Sequence, residues 1–321
     1  MNRHPSRTRF LAALGAGAAA TSAPQAVVAQ ATPCRMAGVY SDLFAEPFYA
    51  KAAGAFAKAG LEPSATSLAN AGAVAAAIGG GALEMGTGDL ISGVNAIIKG
   101  VPILLVAGGG LYQEAEQGQN ILAVTPDSPI KTPKDLIGKT IGVPTLVGLT
   151  TACLRAWLPE HGVPNDSVKL VEIVQSAVVP ALQRGTLDVA LLGEPFITYA
   201  KGQVRSVGYP MNSAADKAAD KQFCLSVWYA NKNWMEADKA RARRAVDAIY
   251  ETARWANTHH AETFEILVKD GGLDGSRLGG MQRAVYATTL TPELVQPVFD
   301  IAAQYKIFPN PVNASQVIAK I

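Results

Sequence analysis

Three acids stand where chemistry is available. Asp42, Asp89 and Glu194 end the phrases VYSD, MGTGD and LLGE, in which a short apolar or glycine-rich run gives way to a polar residue, the pattern of a strand that has just ended. A carboxylate at such an exit accepts hydrogen bonds from a ligand's amine or ring N–H, or it caps the helix that follows. A fourth place has the opposite character. In Lys139–Trp157, KTIGVPTLVGLTTACLRAW, a buried strand leads through Val147, Gly148, Leu149, Thr150 and Thr151 into an apolar helix. The unpaired N–H groups of that helix start, with the threonine hydroxyls, suit an anionic or polar group; capping by Thr150 or Thr151 is the plainer role. Ser41, Asn70, Gly88 and Ser176 occupy comparable loop positions, and Asn70 reads either as an N-cap or as a ligand contact.

Familiar reactive motifs are missing. Gly138-Lys139-Thr140 resembles the end of a phosphate loop, but Pro133 stands where the pattern needs its first glycine, and the lysine precedes a strand instead of following one. There is no G-x-S-x-G and no H-E-x-x-H. His161 and the pair His259-His260 fall near helix ends, where surface or capping roles suit them. Cys34, Cys153 and Cys224 have no C-x-x-C spacing, so neither a metal site nor a disulfide framework is expected, and Cys153 lies in an apolar helix as a core residue. No cofactor or metal follows from this inventory, and enzyme chemistry lacks a paired base and nucleophile.

The elements that carry these loops occur twice. A shift of about 104 residues aligns MAGVYS from Met36 with TIGVPT from Thr140, and the same shift aligns the stretches Ala77–Gly86 and Ala181–Ala190. Each copy reads as a strand, then a helix ending at Gly60-Leu61 or Gly162-Val163, and later a strand leaving into Gly88-Asp89 or Gly193-Glu194. The expected fold is therefore α/β, with two similar lobes facing each other across a cleft at their strand ends, where α/β sheets hold ligands. The chain crosses at Asn120–Thr125 and returns at Phe223–Ala230, which makes lobe 1 residues 33–123 plus 217–321 and lobe 2 residues 124–216. Beyond Glu236 the pattern is helical, over Arg241–Thr258, Ala261–Lys269, Gly280–Thr288 and Thr291–Tyr305. The arginines 241, 243 and 244 read as a solvated helix face among nearby acids.

Residues 1–31 read as an export signal: Arg3, Arg7 and Arg9, an Ala/Gly/Leu run, then the small-residue cleavage pattern Ala29-Gln30-Ala31. Thr8 interrupts the twin-arginine pair. Removing this leader takes the formal charge from +2 to −1, which argues against nucleic acid as partner. With 49% hydrophobic and 17% charged residues and no later apolar run of membrane-spanning length, the rest is expected to be an exported, folded protein.

SDLFAEPFYAKAAGAFAKAGLE, SPIKTPKDLIGKTIGV and ALQRGTLDVALLGEPF resemble the periplasmic substrate-binding proteins of ABC importers in the nitrate/sulfonate/taurine group, the SsuA/THI5-like or NMT1-like superfamily. The resemblance covers nearly all of the chain after the leader. It implies a type II periplasmic-binding fold with two crossover strands and hinge closure on one small molecule, a permease in the inner membrane as partner, no cofactor, and a periplasmic monomer. It implies ligand contacts from Ser41 and Asp42, Asn70, Gly88 and Asp89, Gly148–Thr151, and Glu194 beside Pro195. No arginine or lysine sits in those loops, so an acidic group must be held by backbone N–H groups and hydroxyls, and the acids suit an amine. A small organic anion or zwitterion is the expected solute. A pyrimidine-like heterocycle is the alternative, as is an enzyme of the pyrimidine-synthesis branch, whose CCCFC motif this sequence lacks.

Overall fold

The computed structural model describes residues 31–271 and 273–321; the expected leader lies outside them up to Gln30. The chain begins with β1 (Thr32–Gly38), α1 (Glu46–Ala53), α2 (Ala55–Lys58), β2 (Leu61–Ser67), α3 (Ala71–Gly79), β3 (Met85–Asp89), α4 (Leu90–Ile98) and β4 (Ile103–Gly108). The single helix expected over 45–59 is thus broken. Gly54 takes φ 72°, a left-handed conformation that glycine adopts without a Cβ penalty, and the helix restarts after it.

Next come β5 (Gly110–Gln113), β6 (Asn120–Val124), β7 (Thr140–Val143), α5 (Leu149–Glu160), β8 (Lys169–Glu172), α6 (Val178–Gln183), β9 (Val189–Gly193), α7 (Phe196–Tyr199), β10 (Arg205–Gly208) and α8 (Asn212–Ala215). The chain closes with β11 (Gln222–Cys224), β12 (Ser226–Asn231), α9 (Lys232–Ala237), α10 (Lys239–Ala256), α11 (His260–Gly271), β13 (Val285–Tyr286), α12 (Gln296–Gln304) and α13 (Ala314–Val317).

Two five-stranded sheets have matching strand orders. The first runs β2-β1-β3-β12-β4 and the second, read from its other edge, β8-β7-β9-β6-β10. In each, the first three strands are parallel and the fourth is antiparallel to both neighbours. The repeat seen in sequence is therefore a repeat of topology. Strand register refines it by one residue: Met36 pairs with Met85 while Ile141 pairs with Val189, so Met36 corresponds to Ile141 and not to Thr140.

Alternation along the fourth strands shows why both faces are covered. Val227 and Tyr229 enter one apolar cluster and Trp228 and Ala230 another, and in β6 Ile121 and Ala123 face away from Leu122 and Val124. Helices α3 and α4 lie on one face of the first sheet and α10 on the other.

The crossings differ from the expected places. β6 pairs within the second sheet and β12 within the first, whereas β5 and β11 pair antiparallel with each other, joined by β13, in a separate three-stranded sheet. The chain passes between the sheets along β5 and the 3-10 stretch Glu114–Gln119, and back through Tyr209–Lys221 into β11. The segment expected as a helix over Gly280–Thr288 is extended at β13. Pairing of Val285 with Leu111 and of Tyr286 with Gly110 overrides the helical reading.

Candidate ligand-binding site

Parallel register gathers the candidate loops. Gly38 pairs with Ser67, and Ala37 with Gly86, so the exits of β1, β2 and β3 lie side by side and bring Ser41, Asp42, Asn70, Gly88 and Asp89 to one edge of the first sheet. The Thr87 hydroxyl fastens two of these loops by donating to Phe44 O at 2.6 Å. In the second sheet Val143 pairs with Glu172 and Gly142 with Ala190, which places 145–151, Gln175-Ser176 and Glu194 along one edge. Gln175 ties this edge together: its Oε1 accepts from Gly193 N at 3.0 Å and its Nε2 donates to Leu191 O at 3.2 Å.

The two edges meet. Leu149 at the start of α5 shares an apolar cluster with Leu90 and Ile91 of α4. At another point of the seam the Glu194 carboxylate accepts from the backbone N–H of Gln282 and feels the charge of Asp42.

Most first-sheet candidates are occupied by the fold itself. Asn70 accepts from Ala73 N at 2.9 Å and caps α3; Asp89 accepts from Ser92 N at 3.0 Å and caps α4. Burial pushes the Asp89 carboxyl above its ordinary value, against the lowering effect of the Ser92 N–H. Gly88 is a glycine because a Cβ there would collide with the Tyr229 ring, whose hydroxyl donates to Asp89 O.

Asp42 is caged. It accepts from Arg283 Nε at 2.7 Å and Nη2 at 2.9 Å, from Ala284 N at 2.7 Å and from Tyr49 OH at 3.0 Å. Its side chain is 3% exposed and faces the Arg283 guanidinium. The cation missing from the sequence reading is Arg283, in the segment misread as helix. The one cue was indirect: an acid buried this deeply requires a partner.

The second sheet is less self-contained. Gly148 is the N-cap of α5 and supplies no side-chain acceptor. Neither Thr150 nor Thr151 caps the helix. The buried Thr151 hydroxyl donates to Thr145 O at 2.6 Å, and the Leu149 side chain is in the core, so both offer only backbone to the loop. Ser41 and Thr150 are half-buried and Ser176 is exposed. Beside them Leu146, Val147 and Val174 are unusually open, 42%, 56% and 70% exposed.

Glu194 precedes a cis bond to Pro195 and accepts from Thr198 N at 3.1 Å and Thr198 Oγ1 at 2.9 Å. Burial above all pushes its carboxyl up; the Thr198 and Gln282 donors pull it down, and Asp42 adds to the rise. Sequence reasoning also missed Gln119 and Gln175, since amide side chains carry no motif.

Two open grooves lie outside this seam. One of about 630 Å³ is lined by Thr125, Asp127, Gln183 and Arg184; the other, about 590 Å³, borders the seam at Tyr40 and is lined further by Phe48, Lys51, Ser64 and Lys269. Neither gathers the strand-exit polar groups, so the seam remains the better candidate. Among the described residues no group of His, Cys, Asp and Glu could hold a metal, and no helix is long and apolar enough to cross a membrane. All three cysteines are buried, with thiols pushed up to about 12 by burial.

Two α/β sheets with matched topology, two connecting strands and a seam at the strand ends define the two-lobed type II periplasmic-binding fold. Solved structures agree. The aliphatic sulphonate binding protein SsuA from Escherichia coli superposes with a TM-score of 0.72 at 17% identity, covering 90% of this chain and 92% of that one. The desulfurization enzyme DSZB has the same fold, with a TM-score of 0.63 at 18% identity, covering 90% and 96%. A family profile described as NMT1/THI5 like matches residues 43–263, and the chain belongs to that family. The taurine-binding periplasmic protein of Escherichia coli (strain K12) is 30% identical over 133 residues, a stretch that spans 40% of each chain.

Proposed function

We propose that this protein is the periplasmic solute-binding component of an ABC importer: a monomer that takes one small organic anion or zwitterion, sulfonate-, taurine- or carboxylate-like, closes by hinge motion and presents it to a membrane permease. The observation that carries the reading is the meeting of two sets of parallel strand ends at one seam, with the uncapped start of α5 on one side and Glu194 farther along it. Free N–H groups at a helix start favour an acidic group. Glu194 favours a donor at the opposite end of the solute.

The moving bodies are the two sheets with their helices. We place the lobe limits at 114–119 and 209–221, where the chain passes between the two sheets, a few residues from those expected. The contacts left for a ligand are Ser41, the backbone of Gly148–Thr150, Ser176 and Glu194. Asp42, Asn70, Gly88 and Asp89 act by shaping the rim. The buried, neutral thiols offer no nucleophile, which favours binding over catalysis.

A thermal-shift screen of the chain from Ala31 onward against sulfonates, amino acids, aromatic acids and pyrimidines tests this, because a ligand of the folded form raises its melting temperature. A saturable shift without turnover is expected. Conversion of the ligand to a product would replace the receptor by an enzyme.

A further inference from the structure

Gln119 ends the 3-10 stretch between β5 and β6 and is 3% exposed. Its Nε2 donates to Arg283 O at 3.1 Å, and its own carbonyl accepts from Glu194 N at 3.1 Å. Its Oε1 is buried and has no partner. Exchanging the amide's oxygen and nitrogen does not remove the problem, since it sets oxygen against the Arg283 carbonyl and leaves a donor unpaired instead. Three other buried side-chain atoms among the described residues lack partners, Glu46 Oε1, Asn165 Oδ1 and Arg241 Nε. Like Gln119, each belongs to a side chain otherwise engaged, Glu46 with Trp228, Asn165 with Arg155 O and Arg241 over Trp234; Gln119 differs in being bonded through its backbone to Glu194.

Gln119 and Glu194 converge on the same dipeptide. The Glu194 carboxylate takes the N–H of Gln282, and the Gln119 amide takes the carbonyl of Arg283. Asp42 reaches the next N–H, that of Ala284, and spends the Arg283 guanidinium on itself. The Arg283 guanidinium is therefore taken by Asp42, while the Glu194 carboxylate is held by the Thr198 and Gln282 donors. A buried acceptor without a donor is unfavourable until something supplies one.

We infer that Gln119 Oε1 and the Glu194 carboxylate form an acceptor subsite for an N–H donor of the solute, an ammonium or an amide or ring N–H. The inference rests on the solute-binding reading above. It makes Gln119 a specificity-determining residue: it distinguishes a solute with a donor at that end from the same solute without one.

Isothermal titration of the chain from Ala31 onward, which carries every apolar core described above, tests it with ligand pairs that differ only in the donor. Suitable pairs are 2-aminoethanesulfonate against ethanesulfonate, and an aminopyrimidine against its N,N-dimethyl form. In one pair the donor-bearing member is expected to bind about tenfold tighter or better, the scale of a hydrogen bond to a charged or buried acceptor. Gln119→Met is expected to remove that preference, bringing the ratio of the two affinities close to one. A purely structural role for Gln119 would weaken both members alike and leave the ratio unchanged. The ligand-side comparison needs only the unaltered protein, so it stands even where Gln119→Met does not fold.

Equal binding within every pair overturns the inference, as does a preference that survives Gln119→Met, which would mean that a bound water satisfies Oε1. If solutes in the thermal-shift screen bind but no member of these pairs does, this inference fails and the receptor reading stands. If nothing binds, both fail.

Discussion

The two lobes share a topology and use their strand exits in opposite ways. In the first lobe Asn70 and Asp89 are turned back as caps, Asp42 is enclosed by Arg283 and two tyrosines, and Gly88 makes room for Tyr229. In the second, α5 starts at an uncapped glycine, and Leu146, Val147 and Val174 stand open beside it. The comparison teaches that a repeated framework does not repeat its site. The strand exits of the first lobe are tied up by its own groups, whereas the second lobe leaves a helix start without a side-chain cap beside an exposed apolar rim.

The strongest way to break this contrast is to open the Asp42 cage. Asp42→Ala leaves the Arg283 guanidinium buried without its partner and is expected to cost about 3–5 kcal/mol, measured by urea unfolding. If Asp42 were a ligand group and not a structural one, affinity would collapse while stability held. Next in size is Gly88→Ala, which drives a methyl into the Tyr229 ring and is expected to cost about 1–3 kcal/mol, read as a lowered melting temperature. Gly193→Ala, at the end of the matching second-lobe strand, meets nothing nearer than Asn120 Oδ1 at 3.1 Å and is expected to lose less. Equal losses would erase the asymmetry between lobes.

Asn70→Ala and Asp89→Ala each remove a helix cap, for about 1 kcal/mol of stability apiece, with ligand affinity in titration unchanged. The last change is nearly silent in acid. Glu46 is fully buried at the start of α1, where burial pushes its carboxyl well above the carboxylate range despite a hydrogen bond from Trp228. Its folded value exceeds its unfolded one, so its stabilising contribution is complete below the unfolded value and is lost as pH rises towards the folded one. Glu46→Gln is expected to flatten that slope in denaturation series run from acid to neutral pH and beyond. An unchanged slope would mean that another group titrates.

Much of the fold was legible because its signals are local. The glycines that end helices in both copies, Gly60 and Gly162, take φ 74° and 77°, as helix-ending glycines do, and the strand patterns between them have the expected period. Asn70 shows where legibility stops: its place at a helix start was readable, but whether its oxygen turns to Ala73 N or to a solute depends on geometry. Arg283 and Asp42 are separated by 241 positions, and no pattern within a window joins them. The strand β13 was misread for a similar reason, since its two residues are extended only because β5 lies beside them.

The doubled α/β framework and the loops at its strand ends were thus written in the linear order of residues, because hydrophobic period, helix stops and turns are short-range effects. Which of those loops stays open was settled by contacts between distant segments. A carboxylate, an amide or a helix start becomes a contact for a solute only when no other part of the chain satisfies it first, and that competition is decided when the chain has packed.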